Sequence, residues 1–211
     1  MDRLYFIKLL DELQKIMGEN RDYLIDLDRV VGDGDLGLTM SDGFLAAYHA
    51  VKDIPETDIG KILYMAGKAM STAVPSTMGT LMASGLMQAG KVLKGKTEVE
   101  REDIATFFMA FEEGVTARGK AKVGEKTFLD GLDPAVEAMR AAFAAGEPLS
   151  VVADKAVHAA KEGFEKTTTM IAVHGRAATR GEASRSLEDP GAAVALLMMK
   201  AFQKTSPPQF E

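Results

Sequence analysis

Apolar residues recur at helical spacing along nearly the whole chain, and this feature most restricts the fold. Near the N-terminus they form one face of an α-helix, at Leu4, Ile7, Leu10, Leu13 and Met17. No segment alternates apolar and polar residues in the way that a half-buried strand does. The pattern therefore predicts an all-α protein with about eight helices.

Breaks in this periodicity divide the chain into helical segments. We predict helices over 2–19, 22–31, 38–52, 57–72, 78–94, 98–118, 133–145, 150–170 and 191–204, of which the second is a short lead-in. Thr97 with Glu100 forms a capping box, and Asp133-Pro134 and Asp189-Pro190 each place an N-cap residue before a proline. With 211 residues we expect a single domain, with a flexible tail at 206–211.

Composition excludes several classes of protein. There is no cysteine, so disulfides, thiolate metal sites and cysteine nucleophiles are absent. The N-terminus mixes charged residues into its apolar ones, and no run approaches the roughly 18 apolar residues of a membrane span. A net charge of −6 without a basic stripe argues against nucleic acid. We expect a cytoplasmic protein with neither a membrane nor a nucleic acid as partner.

The densest motif is a glycine-rich turn that carries acidic residues. Asp28 ends a helical stretch, and Asp33 and Asp35 follow in a turn that glycines leave free to fold back. Converging carboxylates repel one another unless a cation is present, and hard oxygen ligands of this kind suit Mg²⁺. The alternative interpretation is a solvated turn, because Asp and Gly both favour turns.

Neither glycine-rich segment matches a nucleotide loop of a strand-based fold. The G-x-G-x-x-G pattern of residues 32–37 follows a helix, whereas the dinucleotide fingerprint needs a preceding strand. Residues 119–127 form a loop one residue longer than a Walker A motif, again after a helical pattern. An EF-hand is excluded too, because the twelfth position counted from Asp33 is Phe44.

Two loops carry basic residues, and one helix start carries hydroxyls. In the first loop Lys120, Lys122 and Lys126 are either solubilising side chains or, if the loop lies near the aspartates, lysines that approach phosphates. The second loop, 172–191, contains His174, Arg176, Arg180 and Arg185, and a loop of this length without a function is uncommon. It is therefore a candidate basic lid over a polyphosphate. Residues 71–79 offer hydroxyls at a helix start, either as caps or as an anion site.

Three separated motifs, LDRVVGDGDLGLTM, ARGKAKVGEKTFLD and HGRAATRGEASRSLEDPG, lie at 27–40, 117–130 and 174–191. In these motifs, and along nearly its whole length, the chain resembles the nucleotide-binding L subunit of bacterial dihydroxyacetone kinases. The resemblance implies an up-down barrel of eight antiparallel helices that binds ADP or ATP through two Mg²⁺ ions. The metal ligands it implies are Asp28, Asp33 and Asp35. Arg176 would meet phosphate and act in catalysis. The implied nucleotide contacts are Leu36, Gly37, Leu38, Thr39, Thr77, Met78, Gly79, Gly119, Thr127, Arg176, Asp189, Pro190 and Gly191.

The resemblance also implies partners. A separate K subunit holds a short-chain ketose covalently, so the L subunit is a phosphotransferase component that is active only with its partner. In one kind of these kinases a phosphohistidine protein of the phosphoenolpyruvate phosphotransferase system recharges bound ADP; in the other, ATP exchanges freely. The chain departs from the family at Leu36, where His or Thr is usual, and at residues 75–80, which replace a G-G-x-S-G-P loop.

Three alternatives stay open on the sequence. A two-metal phosphatase would use the same aspartates to activate water and would need no partner. A regulatory module would bind nucleotide without transferring phosphate. The third alternative is the helical domain of fatty-acid kinases. It is a more distant match, because its loop contains P-D-G-D-T-G where this chain has G-D-G-D-L-G at residues 32–37. The ketose itself, whether dihydroxyacetone, erythrulose or another, stays open.

Overall fold

The computed structural model describes residues 1–206, and in this part of the chain α-helices dominate. They are α1 Arg3–Glu19, α2 Arg21–Val31, α3 Leu36–Val51, α4 Ile59–Ala73, α5 Thr77–Val92, α6 Glu102–Gly119, α7 Phe128–Ala144, α8 Leu149–Lys166 and α9 Pro190–Thr205. Short 3-10 segments cover Thr167–Thr169 and Arg176–Ser184. Over residues 1–206 the only β pairing is an isolated bridge between Asp2 and Glu98. The predicted all-α class is therefore confirmed.

Several boundaries follow the predicted segments closely. The expected lead-in over 22–31 is a complete helix, α2, and Asp189 caps α9 by accepting from the backbone N–H of Ala192 at 2.7 Å. Of the expected tail at 206–211, residues 207–211 lie outside the described part, and Ser206 is buried at the end of α9. The segment predicted at 150–170 ends as a helix at Lys166, after which a 3-10 turn takes over.

The predicted capping box of Thr97 with Glu100 is wrong. The backbone N–H of Val99 donates to the Met1 carbonyl at 2.8 Å, and the Met1 ammonium donates to the Val99 carbonyl at 2.8 Å. This pairing holds the residues around Val99 extended, so α6 begins only at Glu102. The competing partner lies almost 100 positions away and leaves no local signal in the sequence.

The predicted start of a helix at Asp133-Pro134 is also wrong, because α7 begins at Phe128 and contains Pro134. Thr127 accepts from the backbone N–H of Leu129 at 3.2 Å, and Asp130 accepts from that of Thr127 at 2.7 Å. This reciprocal capping box satisfies the free N–H groups at the helix start. Pro134 leaves the Asp130 carbonyl without its intrahelical donor, and Gly163 of α8 packs against that carbonyl.

The chain divides into two compact units, and each is described by itself. The first contains Met1–Gly18 and Thr39–Lys120. Its core includes edge-to-face aromatic contacts of Phe107 with Phe6 and Phe108. Helices α4 and α5 approach so closely that a Cβ on Gly90 would lie 2.6 Å from the Gly60 carbonyl oxygen. Glycine at both positions permits this backbone contact.

The second unit contains Glu19–Leu38 and the chain from Ala121 onward. Its centre is α9, which is buried on nearly all sides, as expected of a helix that is apolar all round. Helices α7 and α8 pack on α9 and on each other. Glycine again allows the close approach, because a Cβ on Gly131 of α7 would lie 2.8 Å from the Ala192 carbonyl oxygen.

Among the helices of residues 1–206, none combines the length and the apolar character needed to cross a bilayer.

Candidate metal centre

Three carboxylates converge where α2 ends and α3 begins. Asp28 lies in the last turns of α2, and Asp33 and Asp35 lie in the turn that follows. One oxygen from each of the three lies within 4.8 Å of the others, which makes them a candidate metal-binding group. Asp28 is half-buried, and the other two are exposed to solvent. The structure thus brings together the three aspartates that the sequence singled out.

The turn between them is built around the Asp28 side chain. One carboxylate oxygen accepts from the backbone N–H of Gly34 at 2.9 Å and from that of Leu36 at 3.3 Å. Gly34 has φ of 77°, a left-handed conformation that favours glycine. A Cβ on Gly32 would collide with the other carboxylate oxygen of Asp28. The glycines therefore fold the turn back onto Asp28 and leave room for its carboxylate.

The charges in this cluster are unbalanced within the protein. Although the Asp35 side chain is exposed, partial desolvation of its carboxyl raises its pKa above the usual value, and the carboxylates of Asp33 and Asp28 raise it further, while Arg176 opposes the shift. The Arg176 guanidinium lies 2.5 Å from an Asp33 oxygen, although its side chain is 70% exposed and the pair is open to solvent screening. Three hard oxygen donors that repel one another suit a divalent cation such as Mg²⁺, so the residues fit the metal that the resemblance implies.

Helix α3 starts immediately after the third aspartate. Its first backbone N–H groups lack intrahelical acceptors, and the positive end of the helix dipole favours an anion there. A Cβ on Gly37 would collide with the backbone carbonyl of Arg21, so only glycine lets the start of α3 lie against α2. Leu36 is buried, and Leu38 is 46% exposed. The geometry offers an anion position beside the aspartates.

The other candidate contacts of the second unit lie at two neighbouring helix starts. Thr127 caps α7, and Asp189, Pro190 and Gly191 begin α9. A Cβ on Gly191 would lie 2.9 Å from the backbone nitrogen of Phe128, so the two starts are in contact. Backbone N–H groups at these two starts donate to the side chains of Thr127, Asp130 and Asp189.

Asp189 is a buried carboxyl at this pair of helix starts. It is only 8% exposed, and burial raises its pKa from 3.8 to about 7. The backbone N–H of Ala192 and the ammonium of Lys126 oppose the shift, whereas Asp130 adds to it. Asp189 therefore binds a proton more tightly in the folded chain than in the unfolded one.

The pKa of Asp189 is 3.8 in the unfolded chain and about 7 in the folded chain. We expect the free energy of unfolding to fall as pH rises between these two values. Because the raised pKa belongs to the folded state, the contribution of Asp189 is complete below pH 3.8 and is lost as pH approaches about 7. The loss is about 1.4 kcal/mol for each pH unit within that range. Denaturant unfolding at pH 5 and pH 8 measures it.

Asp189→Asn is the matched variant, because asparagine keeps an oxygen that can cap α9 but cannot ionise. We expect this variant to gain stability relative to the natural chain between pH 5 and pH 8. A stability difference between the two chains that stays constant over that range would contradict the assignment.

The remaining candidate residues lie in the first unit. Thr77, Met78 and Gly79 begin α5, where Ser76 accepts from the backbone N–H of Gly79 at 3.0 Å, so the capping interpretation of this segment is confirmed. A Cβ on Gly119, at the end of α6, would lie 3.0 Å from Leu81 of α5. Thr39 is buried on α3.

The buried position of Lys126 was not predicted from the sequence. The sequence predicts a solubilising lysine or one near phosphates, whereas the side chain is buried and its ammonium donates to backbone carbonyls of the loop at 167–187. Its neighbour Glu125 lies 2.6 Å from His174 in the same loop. One local signal was available: the T-x-x-D capping box at 127–130 marks the start of a helix and so places Lys126 directly before it, outside an open loop.

Comparison of the sequence with known proteins identifies the family of this chain. The family model described as DAK2 domain matches residues 30–204. The ADP-binding subunit DhaL of the PEP-dependent dihydroxyacetone kinase of Escherichia coli (strain K12) is 31% identical over 200 residues, which are 95% of each chain. The L-erythrulose 1-kinase of Mycolicibacterium smegmatis is 32% identical over 200 residues, covering 93% of this chain and 34% of that protein.

Solved structures show the same fold. The dihydroxyacetone kinase of C. freundii in its native form superposes with a TM-score of 0.73 at 21% sequence identity, over 97% of this chain and 34% of that one. Its complex with AMP-PNP and Mg²⁺ gives a TM-score of 0.68 at 22% identity, over 94% and 33%. With the family model matching most of its length, this chain belongs to the DAK2 domain family.

Proposed function

We propose that this chain is the ADP- or ATP-binding subunit of a dihydroxyacetone-type kinase, which presents a phosphoryl group to a short-chain ketose held by a separate K subunit. In this proposal a protein of the phosphoenolpyruvate phosphotransferase system recharges bound ADP, and the reaction takes place in the cytoplasm. The observation that carries the proposal is the convergence of Asp28, Asp33 and Asp35 directly before the start of α3. The family relationship along 95% of the E. coli ADP-binding subunit supports it.

Each part of the centre has a proposed function. Asp28, Asp33 and Asp35 would hold two Mg²⁺ ions, which neutralise phosphate charge when bound. The start of α3 supplies backbone N–H groups, and the other helix-terminal positions named above are the proposed nucleotide contacts. Arg176 lies beside Asp33 and is exposed enough to turn towards a phosphate.

Phosphoryl transfer needs positioning and charge neutralisation more than it needs a covalent protein group. The described chain offers Arg176 beside Asp33 and the start of α3 directly after Asp35, and the proposal assigns no general base to it. This explains why the chain would phosphorylate nothing by itself: the acceptor hydroxyl belongs to the ketose, which the K subunit holds. We propose that the two compact units act together as a single domain.

One comparison favours a second candidate. The chain is 32% identical to one part of L-erythrulose 1-kinase, so an ATP-dependent kinase for a different short ketose is the alternative. The two candidates share the metal centre and differ in the phosphoryl donor.

A reconstituted assay separates these functions. The purified chain with its K subunit and dihydroxyacetone is supplied either with phosphoenolpyruvate and the phosphotransferase proteins or with ATP, and phosphorylated ketose is measured. We expect product with phosphoenolpyruvate only when both subunits are present. Product with ATP instead supports the alternative kinase. Phosphate release from small esters without a K subunit identifies a phosphatase, and bound nucleotide without product from either donor identifies a regulatory module.

A further inference from the structure

The ammonium of Lys126 lies inside a cluster of backbone carbonyls. The side chain is 2% exposed, and the ammonium donates to the carbonyls of Thr167 at 2.7 Å, Arg185 at 3.1 Å and Met170 at 3.4 Å, and to that of Leu187. All four acceptors belong to residues 167–187, which we call the Arg176 segment because it carries that residue. A buried charge is tolerated only when it is well solvated by protein dipoles, and these carbonyls supply them.

The backbone of Lys126 has an uncommon conformation. Its φ is 62°, a left-handed conformation that is uncommon outside glycine. Lys120 is a matched comparison in the same stretch of chain, because it has φ of 58° but its side chain is exposed.

The preceding residue holds the same segment at a second place. The Glu125 carboxylate lies 2.6 Å from the His174 ring nitrogen, and the Glu125 carbonyl accepts from the backbone N–H of Val173 at 3.2 Å. Lys126 therefore fixes the segment near both of its ends, and Glu125 fixes it two residues before Arg176. Between these anchors the segment places the Arg176 guanidinium against Asp33.

We propose that Lys126 is a positioning residue for phosphoryl transfer, which fixes Arg176 beside the metal centre by gathering the carbonyls of the Arg176 segment around its ammonium. This inference rests on the proposed function of the chain. Without the ammonium, four buried or half-buried carbonyls lose a donor and the segment loses its common anchor. The transfer step is sensitive to that loss, because small misplacements of a phosphate-binding group slow catalysis strongly.

The test is a double-mutant cycle between Lys126→Met and Arg176→Met, with Lys120→Met as the control. Methionine keeps an unbranched side chain and removes the charge. The measured quantity is the rate of ketose phosphorylation with the K subunit at saturating nucleotide. We expect Lys126→Met to lower this rate about tenfold to a hundredfold, and Lys120→Met to leave it within about twofold.

The effect of Lys126→Met in a chain that already carries Arg176→Met distinguishes positioning from a general loss of structure. If Lys126 acts through Arg176, Lys126→Met has little further effect in a chain that already carries Arg176→Met. Fold-changes that multiply in the double variant would overturn the proposal, because a general structural defect acts whether or not Arg176 is present. If Lys126→Met does not fold, the same cycle is run with Lys126→Gln, which removes the charge but keeps an N–H donor for the carbonyls, and the same rule decides.

Hydrogen exchange provides a measurement that does not depend on the kinase reaction. In the nucleotide-free chain, Lys126→Met should speed exchange of the amides of residues 170–187 while the amides of α7 and α9 keep their protection. Unchanged exchange in that segment would overturn the inference even if the natural chain proves to be an active kinase subunit. Absence of transfer by the natural chain with either donor would instead count against the proposed function.

Discussion

Asp33→Asn is expected to weaken magnesium-dependent ADP binding by at least about 100-fold, because loss of a direct metal ligand exceeds the 10–100-fold typical of residues that support ligands. Asp33 contributes one of the three oxygens that converge within 4.8 Å. Asparagine keeps the shape of the side chain but removes its charge. Isothermal titration with ADP in the presence and absence of Mg²⁺ measures the effect.

Asp33→Asn should lose affinity for ADP without losing folding stability. The ion pair of Asp33 with Arg176 is exposed and contributes little, and removing a charge relieves the repulsion that raises the pKa of Asp35. The control is Asp26→Asn, since Asp26 lies on the same helix two residues before Asp28 and its side chain is 77% exposed beside Arg29. Equal loss of affinity in both variants, or undiminished affinity in Asp33→Asn, would argue against the metal assignment.

Gly37→Ala is expected to destabilise the chain by about 3 kcal/mol, as forced overpacking does. The new methyl group would collide with the backbone carbonyl of Arg21 and lie 2.8 Å from a side-chain carbon of Ile25. A backbone atom cannot move aside as a flexible side chain can, so the start of α3 must separate from α2. The same displacement shifts the helix terminus that follows the aspartates, so nucleotide binding should weaken as well. Denaturant unfolding and ADP titration measure the two effects.

Gly18→Ala is the matched control for this substitution. Gly18 lies near the end of α1, and a Cβ there would meet only the Ser41 hydroxyl at 4.0 Å. Alanine in such an open helical position stabilises by about 0.5–1 kcal/mol. If Gly37→Ala proved as stable as Gly18→Ala, the close contact between α2 and α3 would be refuted.

The features that the sequence predicted depend on residues close together in the chain. Helical periodicity identified the all-α class, and Asp189-Pro190 marked the start of α9. The aspartate cluster was accessible for the same reason, because its members span only eight residues, and the intervening glycines supply the turn.

The features that were missed depend on distant contacts or on competing local signals. Residues near Val99 pair with Met1, and nothing around Val99 indicates this. At α7 two start signals compete, and the capping box of Thr127 and Asp130 prevails over Asp133-Pro134. Lys126 was misinterpreted because its acceptors lie 41–61 positions further along the chain.

The central claim is that the three aspartates hold an adenine nucleotide through magnesium. The most direct test is to isolate the chain under native conditions and to measure bound ADP and Mg²⁺ per chain before and after chelation. The account predicts that ADP and Mg²⁺ are retained together, that chelation releases both, and that Asp33→Ala retains neither. A natural chain that binds neither ADP nor ATP in the presence of Mg²⁺, or that holds nucleotide equally well after chelation, would contradict it.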